Sequence, residues 1–170
     1  MTESQAQECQ APGASDALAA ATRLLSLKRQ TRAQLGQKLR ERGYAAAAIE
    51  AALSECERRN YLDDRLFAQL YVKSVLDRKA VGRMRLLHDL LRHGVDGAMA
   101  REVLDAVDDD EDARIERALA KLEATRPQDG YGQLGRRLER LGFTAPLIAR
   151  ALRRRAQTRA RAGAAFEELR

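Results

Sequence analysis

Residues 35–53 read LGQKLRERGYAAAAIEAAL. Leu35 and Leu39, four apart, share one face of a short helix. Gly43 predicts where that helix ends, in a left-handed C′ conformation that residues with a Cβ resist. Tyr44, directly after the glycine, is placed to plug the corner against the core. A second helix follows, with Ile49, Ala52, Leu53 and Cys56 at i, i+3, i+4 and i+7, an apolar stripe of helical period.

The same unit recurs twice. Residues 86–104 read LLHDLLRHGVDGAMAREVL, with Leu86, Leu90, Gly94, Val95, Ala100 and Leu104 in the matching places. Residues 134–152 read LGRRLERLGFTAPLIARAL, with Leu134, Leu138, Gly142, Phe143, Ile148 and Leu152. The copies begin 51 and 48 residues apart. Asp96 and Thr144 suit the N-cap of the second helix in copies two and three, whereas Ala45 offers no side-chain cap in copy one. Arg155 breaks the stripe of the third copy, as expected of a terminal unit whose last turn is exposed.

A further amphipathic segment precedes each pair. These segments carry Ala17, Ala21 and Leu24, then Ala68, Val72 and Leu76, then Ile115, Leu119 and Leu122. Ser15 is the expected N-cap of the first helix, Thr31 with Gln34 forms a capping-box pair, and Asp63 or Asp64 opens a later helix. The acidic run Asp108–Asp112 suits a helix start, where negative charge meets the positive end of the dipole. No run alternates as a strand would. The fold class expected is all-α, three tandem three-helix repeats in an extended array. The expected boundaries are a disordered tail over 1–15, repeats over 16–62, 63–109 and 110–158, and a basic end over 159–170.

Composition narrows the function. Of 170 residues, 45% are hydrophobic and 33% charged, too apolar for a wholly disordered chain and too charged for a membrane protein. No secretory signal pattern opens the chain, so a cytoplasmic protein is expected. Two cysteines, Cys9 and Cys56, cannot frame a disulfide scaffold or a structural zinc site. His88 and His93, five apart, miss the three or four that places two ligands on one helical face, and both read as surface residues. Gly132 and Gly135 near Tyr131 follow no strand and precede no Lys-Ser/Thr, so they form no phosphate loop. No nucleophile–base set can be assembled. The expectation is no enzyme, with no catalytic residues, metal or cofactor.

Charge is unevenly spread. Residues 1–64 hold 9 basic and 9 acidic groups, residues 65–112 hold 8 and 10, and residues 113–170 hold 14 and 6. The basic excess therefore lies in the last third and suggests a polyanion or an acidic protein surface as partner. Arg78, Lys79, Arg83 and Arg85 surround Gly82; Arg136, Arg137 and Arg140, then Arg150, Arg153 and Arg154, lie on the two helices of the third copy. Each cluster admits two readings, a contact surface or a solvated face.

The string Tyr61-Leu62-Asp63-Asp64 followed by Phe67-Ala68 resembles a signature of the RecX regulatory proteins, and Arg78-Lys79-Ala80-Val81-Gly82-Arg83 is similar to that family's basic approach to its second unit. The resemblance covers roughly residues 17–157 and is looser in the third copy. It implies tandem three-helix repeats in a curved molecule that binds the RecA filament on single-stranded DNA. It also implies inhibition of ATP hydrolysis, strand exchange and stimulated LexA self-cleavage. On that basis the arginines and Lys79 named above are candidate contacts to RecA or DNA. Tyr61, Leu62, Asp63, Asp64, Phe67, Gly43, Gly94 and Gly142 are structural motif residues. Asp63 and Asp64 read as a cap and a first-turn charge, with Tyr61 and Phe67 as core anchors beside them. The exposed arginines of the terminal unit favour a monomer.

On the residues alone, rival readings are weighed in turn. A helix-turn-helix reader needs a polar recognition helix, but AAAAIEAALSECE and GAMAREVLDAVDDD are alanine-rich and acidic and would be repelled by phosphate. A plain single-strand binder lacks stacking aromatics, which number seven in the whole chain. A non-specific DNA binder or a helical-repeat scaffold for another acidic protein stays open as the alternative function.

Overall fold

The computed structural model describes residues 13–107 and 110–168. Those residues form α1 (Ala14–Leu27), α2 (Arg32–Glu41), α3 (Ala46–Arg58), α4 (Asp64–Leu76), α5 (Arg83–Arg92), α6 (Gly97–Asp105), α7 (Glu111–Thr125), α8 (Tyr131–Arg140) and α9 (Ala145–Glu168). Among the described residues there is no strand, in agreement with the all-α reading. Residues 1–12, which include Cys9 and most of the expected tail, lie outside the described residues, as do Asp108 and Asp109.

The three corner glycines adopt the conformation their positions predict. Gly43 and Gly94 have φ of 81° and Gly142 has φ of 88°, values at which a Cβ collides with the backbone. Behind the corners, Val95 and Phe143 are buried, while Tyr44 is half-buried.

The chain divides into two compact units. The first holds residues up to Ala68 together with Arg92–Asp96. Ala21, Leu24, Leu35, Leu39, Ile49, Leu53, Cys56 and Leu62 form its core. Cys56 is fully buried, and burial pushes its thiol above the ordinary range. At the start of α2, the Thr31 hydroxyl accepts from the Gln34 amide at 3.2 Å and donates to the His93 carbonyl at 2.6 Å. The Gln34 side chain accepts from the Thr31 amide at 3.3 Å, completing the expected capping box. The Arg32 amide donates to Asp64 Oδ1 at 2.8 Å. This corner presses hard on α2, since a Cβ on Gly94 would lie 2.3 Å from that of Ala33.

The second unit holds Gln69–Leu91 and the chain from Gly97 onward. Its core includes Ile115, Leu119, Leu134, Leu138, Phe143, Leu147, Ile148 and Ala151. The capping scheme of α2 is repeated here at α5. The Gly82 amide donates to the Leu141 carbonyl at 2.8 Å and the Met84 amide to the Gly142 carbonyl at 3.1 Å. The Arg83 amide donates to Glu111 Oε1 at 2.7 Å, as Arg32 does to Asp64. A Cβ on Gly142 would lie 2.3 Å from the Arg85 nitrogen, whereas one on Gly43 would meet nothing within 4 Å. Gly94 and Gly142 thus serve twice, as helix stops and as close-contact points. At each of these two helix starts one first-turn amide, that of Arg32 or of Arg83, finds a carboxylate partner far along the chain.

Several local expectations are corrected. Helix α1 starts at Ala14 after Gly13, whose amide donates to Asp16 Oδ2 at 3.3 Å, so Ser15 lies inside the helix rather than capping it. Asp63 caps α4, accepting from the Leu66 amide at 2.8 Å, and Asp64 stands in the first turn of α4 as expected, with the added role of accepting from the Arg32 amide at the start of α2. Tyr61 is 50% exposed and is no core anchor, while Leu62 beside it is buried. Phe67 is half-buried, edge-on to the His93 ring with centroids 5.4 Å apart. His93 also contacts Gln34 Nε2 through Nδ1 at 2.7 Å, so it belongs to the packing rather than the open surface. Asp110 caps α7 by accepting from the Asp112 and Ala113 amides at 2.9 and 3.2 Å. Helix α9 runs on past Arg155 to Glu168, and Arg155 is half-buried, so the break in the stripe marks no exposed last turn.

Candidate functional site

The candidate site is a matter of which basic side chains the fold leaves available. Around Gly82 most are occupied. Arg83 Nη2 donates to Asp105 Oδ1 at 2.7 Å. Its counterpart eleven residues before the first corner glycine, Arg32, pairs likewise with Glu50 at 2.5 Å and Glu57 at 2.7 Å. Arg83 therefore repeats a structural staple. Arg85 pairs with Asp89 at 3.1 Å on its own helix. Arg78 folds back onto Ser74, donating to its carbonyl at 2.8 Å and its hydroxyl at 2.6 Å, which orients the guanidinium without neutralising it. Lys79 is exposed.

The arginines of α9 meet the acidic face of α7. Arg150 reaches Asp112 at 2.5 Å, and Arg154 reaches Asp112 at 2.9 Å and Glu116 at 3.1 Å. Arg155 and Arg159 share Glu123 at 2.6 and 2.9 Å. The Arg159 guanidinium also lies 5.9 Å from the centre of the Tyr131 ring, within cation–π range. Arg154, hydrogen-bonded to Asp112, is the main cause that holds this carboxyl below the ordinary value of 3.8. Such exposed pairs contribute at most about 1 kcal/mol each, but as a network they join two helices and use up the charge.

Helix α8 differs. Leu134 and Leu138 are buried at 1% and 0% exposure, so the opposite face of the short helix is turned outward. Arg137 turns back to Asp129 at 2.6 Å. Arg136 and Arg140, four apart on one face, are exposed and make no ion pair among the described residues. Arg153 on α9 is exposed as well. Of the ten basic candidates, Lys79, Arg136, Arg140 and Arg153 are outward and without an ion pair among the described residues, and Arg83, Arg85, Arg137, Arg150 and Arg154 are tied into ion pairs. Two exposed cations on α7, Arg117 and Lys121, escaped notice in the sequence; their i, i+4 spacing beside Leu122 was the available signal.

Sequence relatives share this frame over most of the chain. A RecX regulatory protein of Thermus thermophilus is 40% identical over 129 residues, covering 76% of this chain and 84% of that one. One from Treponema pallidum is 35% identical over 136 residues, covering 78% and 80%. The chain belongs to the RecX family of regulatory proteins. The family's first three-helix domain matches residues 17–56 and its second matches residues 63–104, so α2, α4 and α5 fall wholly inside a match. The fold agrees with the crystal structure of RecX from Lactobacillus salivarius, with a TM-score of 0.75 at 20% identity over 83% of this chain and 95% of that one. In the stretch Tyr61–Phe67 the residues act structurally: Leu62 enters the core, and Asp63 and Asp64 accept from the first-turn amides of two different helices. No helix among the described residues is long and apolar enough to cross a membrane.

Proposed function

We propose that the chain binds the RecA–single-stranded DNA filament and inhibits its ATP hydrolysis, strand exchange and LexA co-protease activity. It acts in the cytoplasm, as a monomer and without catalysis of its own. Membership of the RecX family carries this reading. The exposed Arg136 and Arg140 on α8 supply the chemistry, two cations at one-turn spacing offered to a phosphate backbone or an acidic protein face. Three-helix repeats over 16–62, 63–109 and 110–158 would each make a weak contact, and their linkage in one chain raises the effective concentration of the rest.

ATP hydrolysis by the cognate RecA on oligothymidylate, titrated with the full chain, tests this. Inhibition is expected at fewer than one chain per recombinase. An unrelated basic protein of equal DNA affinity is expected to inhibit only as it displaces recombinase from DNA. Undiminished hydrolysis at an excess of this chain would contradict the proposal.

A further inference from the structure

A groove of about 500 Å³ lies in the second compact unit, between the end of α4, the segment that follows it, and one face of α7. Its walls are aliphatic, with Leu76, Val81, Leu122 and Leu141 among them. Leu76, Leu122 and Leu141 are only half-buried, so part of each is open to an occupant. Four cations rim it, Arg78, Lys79, Arg117 and Lys121, against one acid, Asp77. None of the four is in an ion pair among the described residues. The neighbouring acids of α7 cannot neutralise them, because Glu116 is held by Arg154 and Glu123 by Arg155 and Arg159.

We infer that this groove receives an acidic segment carrying aliphatic side chains, presented by the recombinase. The inference rests on the filament-binding reading and goes on to assign the chemistry of one contact. Carboxylates would meet the rim while aliphatic groups leave water for the walls, a pairing in which charge guides the encounter and burial holds the complex. Nucleic acid fits less well. Bases seek aromatic faces for stacking and amide or bidentate groups for their edges, but the walls hold no aromatic ring, and Thr125 is the sole uncharged polar residue lining them. The surface thus differs in kind from the bare arginine pair of α8.

The test compares two affinities of the full chain, for RecA filaments on oligothymidylate and for the bare oligothymidylate. The variant is Arg117→Glu with Lys121→Glu, both at exposed positions, with circular dichroism confirming unchanged helicity. A second variant, Arg101→Glu with Arg126→Glu, makes the same change in net charge at exposed sites outside the groove. The groove variant is expected to lose filament affinity by about tenfold or more, while its affinity for bare DNA falls by less than about threefold, and the control pair keeps filament affinity within about threefold of the parent. Equal losses on filament and bare DNA would make the groove a nucleic-acid site and overturn the inference. Unchanged filament affinity, or an equal loss in the control pair, would overturn it too. A parent chain that fails to bind filaments at all would instead refute the proposed function.

Discussion

Helices α8 and α9 are both arginine-rich and adjacent in sequence, but the fold uses their charge in opposite ways. On α9, Arg150, Arg154, Arg155 and Arg159 close onto Asp112, Glu116 and Glu123 of α7 and hold two helices together. On α8, only Arg137 turns inward, to Asp129, and Arg136 and Arg140 stand clear. The reason is what lies opposite. Helix α7 runs an acidic row past α9, whereas no carboxylate among the described residues pairs with Arg136 or Arg140. A local excess of positive charge is therefore no measure of a binding surface; the number of cations left after internal pairing is.

The largest effect expected from that contrast is functional. Replacing Arg136 and Arg140 with Glu should raise the concentration needed to inhibit RecA by about tenfold or more while the melting temperature stays within about 2 °C of the parent. A melting temperature that falls sharply would show that these side chains are structural after all. Next comes Arg83, which carries both an ion pair to Asp105 and the first amide of α5. Arg83→Glu places a carboxylate beside Asp105 and Glu111 and should cost about 1–2 kcal/mol, lowering the melting temperature by about 3–6 °C. Lys79→Glu, a few residues earlier and exposed, should leave it unchanged; equal melting for the two would erase the distinction between held and offered cations.

Smaller effects sharpen the same contrast. If Arg136 and Arg140 each neutralise a phosphate of single-stranded DNA, Arg136→Gln with Arg140→Gln should flatten the log affinity–log salt plot by about 1.4, at about 0.7 per contact. No change in slope would assign the pair to protein instead. Smallest is a titration. Asp112 is held below 3.8 chiefly by its hydrogen bond to Arg154. Its contribution to stability is thus present above the unfolded value and lost as pH falls through the lower folded one. The carboxyl resonance of Asp112 should titrate below the ordinary range in the parent and move back up in Arg154→Gln. An unmoved midpoint would mean the pair does not persist in solution.

The corners were legible in the sequence because glycine at a fixed distance after paired leucines has one strong physical meaning. Gly43, Gly94 and Gly142 all obey it. Their second role was hidden, since the crowding of Gly94 on Ala33 and of Gly142 on Arg85 depends on residues 61 and 57 positions earlier. Asp64 hid a second role for the same reason: a carboxylate in a first turn reads as a local charge, but it also accepts from the amide of Arg32, 32 residues earlier. Tyr61 misled because aromatic size suggests burial, whereas the neighbouring Leu62 takes the core position. The candidate site was legible only as a list of cations. Arg150 and Arg154 are 38 and 42 residues from Asp112, and sequence spacing holds no trace of such a pairing.

The most direct test sets the two helices against each other in one assay. DNA-dependent ATP hydrolysis by the cognate RecA would be titrated with the parent chain, with Arg136→Glu/Arg140→Glu, and with Arg150→Gln/Arg154→Gln. Inhibition should be potent for the parent, weakened by about tenfold or more in the α8 variant, and within about threefold of the parent in the α9 variant while that variant remains folded. Equal potency for the parent and the α8 variant, or a loss confined to the α9 variant, would contradict the claim that the unpaired arginines are the ones that act.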